Sequence, residues 1–172
     1  YTRLMHNLSG MGLGGGTGAG IDRFITNKQV LFVGDSTFFH SGITAISDSI
    51  KNAQDLTYVI LDNKTTAMTG HQPTPSQGTD VMGGETRHQD IEMAVRGLAA
   101  KGEKVSVVKT NPADRDQYRA LLERTILRDG VKVIIADKEC GITYHRRIHR
   151  DEKKEIRANG FLAREVHVND AE

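Results

Sequence analysis

Four short runs of mostly apolar residues, rich in β-branched side chains, most constrain how this chain of 172 residues can fold. Each run is nearly continuous rather than alternating apolar and polar, which is typical of strands buried on both faces of a parallel sheet. Between the runs, apolar residues recur every three or four positions, as they do on one face of a helix. This alternation predicts an α/β fold in which helices flank a parallel sheet. The runs occupy residues 30–33, 56–61, 105–108 and 131–136.

Helical patterns separate these runs. The pattern at 112–130 has Pro112 where a first helical turn is expected and Gly130 where a C-terminal cap is expected. Two segments stand outside the rhythm: 9–22, which is half glycine, and the long loop 69–85, a kind of loop that is often functional. The apolar faces are Ile43, Ile46 and Ile50 in 41–53; Ile91, Ala94, Val95 and Leu98 in 88–102; and Tyr118, Leu121, Leu122, Thr125 and Ile126 in 112–130.

Composition limits the compartment and the classes of partner. The net charge of +1 does not favour nucleic acid or an anionic membrane, and no apolar run approaches the length of about 20 residues that a membrane helix needs. Cys140 is the single cysteine, so an internal disulfide is excluded, and a reducing compartment is the simplest interpretation. We therefore expect a cytoplasmic protein, with neither a nucleic-acid nor a membrane partner, and we expect this chain to be an excerpt of a longer polypeptide.

Polar residues follow the first two runs at the point where each run ends. Asp35 follows the first run and Asn63 follows the second, so the carboxyl ends of neighbouring parallel strands should bring the two side chains together. Carboxylate and amide oxygens are hard donors that suit Mg²⁺. Ser36 and Thr37 then open a helix, whose free N–H groups and partial positive charge suit phosphate. The pattern predicts a site for a magnesium diphosphate.

The sequences of these two stretches resemble those of a known protein family. "GDSTFFHSGI" and "VILDNKTTAMTGHQPTP" closely resemble the large subunits of indolepyruvate ferredoxin oxidoreductases, within the 2-oxoacid:acceptor oxidoreductases, and the resemblance covers most of residues 30–142. It implies a thiamine diphosphate-binding fold and a part in oxidative decarboxylation of a 2-oxoacid, chiefly an arylpyruvate such as indolepyruvate, to an acyl-CoA. It also implies coenzyme A, ferredoxin, iron–sulfur clusters outside this chain, and a pyrimidine-binding domain from a second subunit or chain region.

The resemblance also assigns residues to the site, although it assigns no catalytic residue within this chain. It implies that Mg²⁺ is bound by Asp35, Asn63 and the main-chain oxygen of Thr65. Met68 and His71 are placed beside the substrate. The resemblance implies that the diphosphate is lined by Gly34, Ser36, Thr37 and Thr66. Together with the three Mg²⁺ ligands, these are the expected cofactor-binding residues.

Other interpretations of the same residues stay open. Asp35 and Asn63 also suit a helix cap and a turn. Residues 10–15 fit a dinucleotide-binding glycine pattern, which requires a preceding strand that "YTRLMHNLS" does not resemble. Two alternative functions also stay open for the whole protein. The first is a non-oxidative thiamine diphosphate-dependent decarboxylase or synthase, and the second is a non-catalytic cofactor-binding module.

The end of the chain differs in character from the rest. We expect a thiamine diphosphate-binding domain at 1–142 and a basic helical or irregular extension at 143–172, which leads to a part that is not present. The extension is either a solvated helix or a docking face for another domain or an acidic electron carrier.

Overall fold

The computed structural model describes residues 5–100 and 105–161 and divides the chain into two units, Tyr1–Glu139 and Cys140–Glu172. The predicted domain boundary after residue 142 falls a few residues beyond this division and stays a prediction. Residues 162–172 of the predicted extension lie outside the described residues.

A four-stranded parallel sheet forms the centre of the first unit, and its strand order is β1-β2-β6-β5. The predicted α/β fold is therefore confirmed, and each strand lies within two residues of its apolar run. A separate antiparallel pair, β3 and β4, follows β2. The strands are β1 (Gln29–Gly34), β2 (Leu56–Asp62), β3 (Thr65–Thr66), β4 (Gln72–Pro73), β5 (Ser106–Thr110) and β6 (Lys132–Asp137).

The helices are shorter than the patterns that predicted them. Pro112 lies before the third predicted helix, because the Asp114 carboxylate caps that helix by accepting a hydrogen bond of 3.0 Å from the N–H of Gln117. The glycine-rich segment, expected to lie outside the helices, contains one. The helices are α1 (Gly14–Asp22), α2 (Asp35–Thr37), α3 (Ile43–Lys51), α4 (Ile91–Arg96), α5 (Arg115–Ile126) and α6 (Gly141–Asn159).

The two faces of the sheet are covered by different helices, as strands buried on both faces require. On one face, Ile46 of α3 and both Ile91 and Val95 of α4 pack into the larger apolar cluster. On the other face, Leu121 of α5 packs against Val59 and Ile134 in a smaller cluster. The predicted apolar faces of all three helices thus contact the core.

Glycines allow α1 to approach its neighbours closely. A Cβ atom on Gly15 would lie 2.4 Å from the Cβ of Ala45 in α3, and one on Gly18 would lie 2.8 Å from Leu31 in β1. The contact at Gly15 could form only if α1 and α3 moved apart, and the one at Gly18 only if the Leu31 side chain moved, so α1 lies closer to its neighbours than side chains at these positions would allow. The glycine pattern of a dinucleotide site requires a strand directly before it. Among the described residues that precede α1, at positions 5–13, there is no strand.

A group of ion pairs lies at the amino ends of the strands. Lys132 is fully buried, and its Nζ binds the carboxylate of Asp55 and, at 2.8 Å, the carbonyl oxygen of Arg128. Lys28 binds Asp55 as well and lies 2.7 Å from Asp129. Partial burial opposes ionisation of Asp55, but the hydrogen bonds from Lys132 and Lys28 outweigh it and lower the pKa of this carboxyl group. We call Lys28, Asp55, Asp129 and Lys132 the amino-edge cluster.

The second unit is described through Phe161 and contains α6. Gly160 follows the helix with φ +79° and ends it in the left-handed conformation that favours glycine. Arg146, Arg150, Lys153 and Arg157 recur along one side of the helix at spacings of three and four residues. Among the described residues, no helix combines the length and the apolar character needed to cross a membrane.

The packing of α1 predicts opposite effects for two neighbouring glycines. Gly15→Ala should lower the free energy of unfolding by about 1–3 kcal/mol, because the new methyl group overpacks the contact with Ala45. Gly16→Ala should raise it by about 0.5–1 kcal/mol, since a Cβ there meets nothing within 4 Å and alanine favours a helix. Urea unfolding of both variants measures the difference, and equal effects would contradict the close approach.

Candidate functional site

The end of β1 leads directly into a helix. Gly34 has an extended backbone, with φ −74° and ψ 156°, and Asp35 begins a helical run that continues without a break to Lys51. The run includes a π-helical turn at Phe38–Gly42. A Cβ atom on Gly34 would meet nothing within 4 Å, so open space lies above the junction. Ser36 and Thr37, at the start of the run, are half-buried.

The carboxylate of Asp35 is the most unusual group at this junction. The residue is only 2% exposed. Its Oδ1 accepts a hydrogen bond of 2.7 Å from the N–H of Ser36, whereas Oδ2 is buried and has no hydrogen-bond partner in the described part of the chain. Burying an ionised carboxylate without satisfying both oxygens is costly. A ligand that offers positive charge to Oδ2 would remove that cost.

Electrostatics at Asp35 reflect the same burial. Desolvation raises the pKa of this carboxyl group, the N–H of Ser36 opposes the rise, and the negative charge of Asp62 adds to it. The backbone N–H and the positive charge of Lys64 also lower the pKa of Asp35, although the N–H makes no hydrogen bond to Oδ2. A bound cation would act in the same direction as Lys64 and would keep Asp35 ionised.

Parallel pairing brings the end of β2 beside Asp35. Gly34 pairs with Leu61, so Asp35 and Asp62 follow at the same level of the sheet. Asn63 then folds the chain into a turn, in which its Oδ1 accepts a hydrogen bond of 3.0 Å from the N–H of Thr65. An amide oxygen has two lone pairs, so this bond leaves one for a further ligand. The structure thus brings the Asp35 junction and the Asn63 turn together.

The remaining predicted residues lie on the short segment after the turn. Thr65 is buried and Thr66 half-buried, and both belong to β3, which lies beside α2. Met68 is on a 3₁₀ turn and its side chain is fully exposed. His71 has φ +64°, a left-handed backbone that is uncommon for a residue with a side chain, and its N–H donates to the carbonyl oxygen of Thr66 at 3.0 Å.

A group of charged side chains at this edge was missed by the sequence analysis. Asp62 pairs in register with Asp137 of β6, which sets two carboxylates side by side. Lys64 bridges them, with its Nζ bound to Asp62 and 3.3 Å from Asp137, and Lys109 lies 2.8 Å from the other oxygen of Asp137. We call these four residues the carboxyl-edge cluster. The signal that found Asp35, a polar residue ending an apolar run, also marks Asp62 and Asp137.

The carboxyl-edge cluster shifts the pKa values of its own members and lies beside a cavity. Partial burial opposes ionisation of Asp137, but Lys109 and Lys64 outweigh it and lower the pKa of this carboxyl group. The hydrogen bond to Asp137 raises the pKa of Lys109. A cavity of about 420 Å³ opens beside the cluster, beyond the carboxyl ends of β2, β5 and β6, and the loop around His88 lines its other side. Ligands of parallel sheets bind at this edge.

The donors at the junction fit a magnesium ion. Across residues 5–100 and 105–161, no three His, Cys, Asp or Glu side chains converge as they do in a metal site built from protein side chains alone. Mg²⁺ does not need such a cage, because it takes one or two carboxylates or amides and completes its shell with water and phosphate. Asp35 Oδ2, Asn63 Oδ1 and the carbonyl oxygen of Thr65 are oxygen donors of that kind.

A family model and individual relatives match this chain and agree with each other. The family model for "Thiamine pyrophosphate enzyme, C-terminal TPP binding domain" matches residues 1–136. The chain is 39% identical, over 143 residues, to an indolepyruvate oxidoreductase subunit IorA of Archaeoglobus fulgidus, and 40% identical over 134 residues to that of Methanothermobacter thermautotrophicus. These matches cover 83% and 77% of this chain but 22% and 21% of the relatives, so the chain spans about a fifth of their length.

Solved structures support the fold. A 2-oxoglutarate:ferredoxin oxidoreductase from Magnetococcus marinus has a TM-score of 0.61 at 18% identity, over 75% of this chain and 45% of that one. A thiamine diphosphate-dependent 4-hydroxybenzoylformate decarboxylase from Rhodococcus jostii has a TM-score of 0.55 at 17% identity, over 75% of this chain and 23% of that one. At such identities the likeness concerns the fold alone.

Burial of Asp35 predicts a stability effect in the absence of ligand. Asp35→Asn should raise the free energy of unfolding at pH 7 by about 1 kcal/mol, because it removes a buried charge whose Oδ2 has no partner. Asp62→Asn is the matched control: Asp62 is equally buried at 3% exposed, but its oxygens bind Lys64 and Ser76, so the change should destabilise. Urea unfolding with EDTA measures both. Destabilisation by Asp35→Asn to the same extent would contradict the interpretation.

Proposed function

Because this chain belongs to the thiamine pyrophosphate enzymes, as their C-terminal TPP-binding domain, we propose that it binds thiamine pyrophosphate, also called thiamine diphosphate, together with Mg²⁺. The observation that carries the proposal is the buried Oδ2 of Asp35, which has no hydrogen-bond partner among the described residues. Asp35 Oδ2, Asn63 Oδ1 and the carbonyl oxygen of Thr65 hold the metal. The lone pair left on Asn63 and the position of β3 beside α2 support this set.

The diphosphate is proposed to lie over the start of the helical run. The open space above Gly34 lets a phosphate approach the backbone, which a larger side chain would obstruct. The first N–H groups of the run and the hydroxyl groups of Ser36, Thr37 and Thr66 supply hydrogen-bond donors to phosphate oxygens. The metal ligands and the helix start thus act on the same charged group and fix its orientation.

The chain's own contribution is binding and orientation of the cofactor. When bound, thiamine diphosphate supplies the carbon nucleophile and the electron sink that decarboxylation of a 2-oxoacid requires. We propose no general acid or base within this chain. A pyrimidine-binding domain from a second subunit or another chain region completes the site, so that the 172 residues bind the cofactor without turning over substrate.

The complete protein is proposed to be an indolepyruvate-type 2-oxoacid:ferredoxin oxidoreductase. It converts a 2-oxoacid and coenzyme A to an acyl-CoA and carbon dioxide. The two electrons released by this oxidation pass through iron–sulfur clusters outside this chain to ferredoxin in the cytoplasm. The similarity to two IorA subunits, at 39% and 40% identity, supports an oxidoreductase over a non-oxidative decarboxylase or synthase. Iron–sulfur cysteine motifs in the full-length protein distinguish the two, and a failure to bind the cofactor would favour a non-catalytic module.

Cofactor binding tests the proposal directly. Calorimetric titration should show that thiamine diphosphate binds in Mg²⁺ and that EDTA abolishes binding. Asp35→Ala should weaken Mg²⁺-assisted binding more than tenfold, roughly 1.4 kcal/mol or more, because it removes the only charged side chain among the proposed protein ligands of the metal. Asp116→Ala, which removes an exposed carboxylate in the first turn of α5, is the control and should bind like the wild type. Equal affinity with and without Mg²⁺ would eliminate the metal from the site.

The preferred substrate is proposed to be an arylpyruvate. Met68 and the loop containing His71 present an apolar surface with one histidine after the Asn63 turn, and the side chain of Met68 is fully exposed and thus accessible to a ligand. An aryl group that covers such a surface gains about 25 cal/mol for each Å² of apolar area removed from water, whereas the methyl group of pyruvate covers little.

Substrate preference is measured on the complete enzyme. We expect a higher kcat/KM for indolepyruvate or phenylpyruvate than for pyruvate, and Met68→Asn should narrow the ratio by removing apolar contact. Val81→Asn, at a second exposed apolar residue outside the Met68–His71 segment, is the control and should leave the ratio unchanged. A complete enzyme that prefers pyruvate or 2-oxoglutarate would disprove the substrate while leaving the cofactor site unaffected.

A further inference from the structure

We propose that Lys64 is a positioning residue, which clamps the Asn63 turn to the end of β6 and thereby sets the geometry of the metal ligands. This inference rests on the proposed function for its ligand, magnesium thiamine diphosphate. It concerns a residue that makes no proposed contact with metal, cofactor or substrate. It assigns the carboxyl-edge cluster a role in shaping the site.

The clamp consists of contacts on both sides of the turn. The side chain of Lys64 binds Asp62, the last residue of β2, and reaches Asp137, the last residue of β6, at 3.3 Å. Asp137 is held in turn by Lys109 of β5 at 2.8 Å. The carbonyl oxygen of Asp62 also accepts a hydrogen bond of 3.1 Å from the N–H of Lys138. The turn is therefore attached to two further strands of the sheet.

The backbone of Lys64 lies between two proposed metal ligands, whereas its side chain binds the aspartates at the ends of β2 and β6. Lys64 has φ +64°, a left-handed conformation that disfavours a residue with a side chain. Its N–H lowers the pKa of the Asp35 carboxyl group, and its neighbours Asn63 and Thr65 supply the other two proposed metal ligands. Contacts of the side chain hold this strained backbone in place, since an unsupported lysine favours other conformations. Loss of the clamp would release the ligands on either side.

A matched residue exists at the opposite edge. Lys28 also binds two aspartates, Asp55 and Asp129, and its side chain is 25% exposed against 37% for Lys64. It belongs to the amino-edge cluster, at the other ends of the strands. Lys28→Met therefore removes a similar set of two ion pairs, together with a hydrogen bond of 3.1 Å to the carbonyl oxygen of Arg128, without touching the turn. It controls for a general loss of stability.

Amide hydrogen exchange tests the clamp without any cofactor. In the ligand-free chain, Lys64→Met should accelerate exchange of the amides at positions 64 and 65 at least tenfold relative to the core amide of Val59. Lys28→Met should leave that ratio within twofold of the wild type. Asp137→Asn, which removes one end of the clamp, should act in the same direction as Lys64→Met and provides the measurement if Lys64→Met fails to fold. Unchanged ratios in the folded variants would overturn the proposal.

Affinity provides the second measurement. At a fixed concentration of thiamine diphosphate, Lys64→Met should raise the Kd for Mg²⁺ at least tenfold, Lys64→Arg should restore most of the affinity, and Lys28→Met should match the wild type. Faster exchange with an unchanged Kd would overturn the link to the metal ligands. If the wild-type chain does not bind the cofactor, the proposed function fails, and the exchange ratios still decide whether Lys64 holds the turn.

Discussion

The structure at the ligand edge depends on the electrostatic balance of three aspartates that parallel pairing forces together. Asp62 and Asp137 are the last residues of β2 and β6, and Asp35 directly follows β1; adjacent strands of a sheet lie about 4.8 Å apart. Lys64 and Lys109 neutralise Asp62 and Asp137, so that of these three aspartates Asp35 alone has a buried oxygen without a partner in the described part of the chain. The unsatisfied group lies beside the turn that offers two further oxygen donors. An arrangement that is costly for folding is thus suited to a cation.

Buried charges at the amino and carboxyl ends of the strands differ in whether the protein itself satisfies them. At the amino edge, the fully buried ammonium group of Lys132 binds both Asp55 and a carbonyl oxygen, so its charge is satisfied within the protein. At the carboxyl edge, Asp35 is almost equally buried but is satisfied at one oxygen alone. A buried charge with full partners supports the fold, whereas one without them indicates a site that another molecule completes.

Sequence patterns predicted the layers of the fold well because burial on both faces leaves a direct record in continuous apolar runs. All four main strands and the apolar faces of α3, α4 and α5 were found in this way. The helix in the glycine-rich segment was missed, since Gly15 and Gly18 are present for close packing, which propensity does not reveal. The cluster around Lys64 was also missed, because ion pairs between residues distant in sequence depend on a register that only the folded sheet defines.

The π-helical turn at Phe38–Gly42 has a consequence for the angular phase of the helix that starts at Asp35. Each residue of an α-helix turns the chain by about 100°, and a π turn inserts one additional residue. The residues before and after it are therefore rotated relative to each other by about one residue step. This offset lets Asp35 face the edge of the sheet while Ile46 faces the core, although a regular helix would couple the two directions. The inserted residue thus rotates the polar end of the helix by a fixed angle relative to its apolar face.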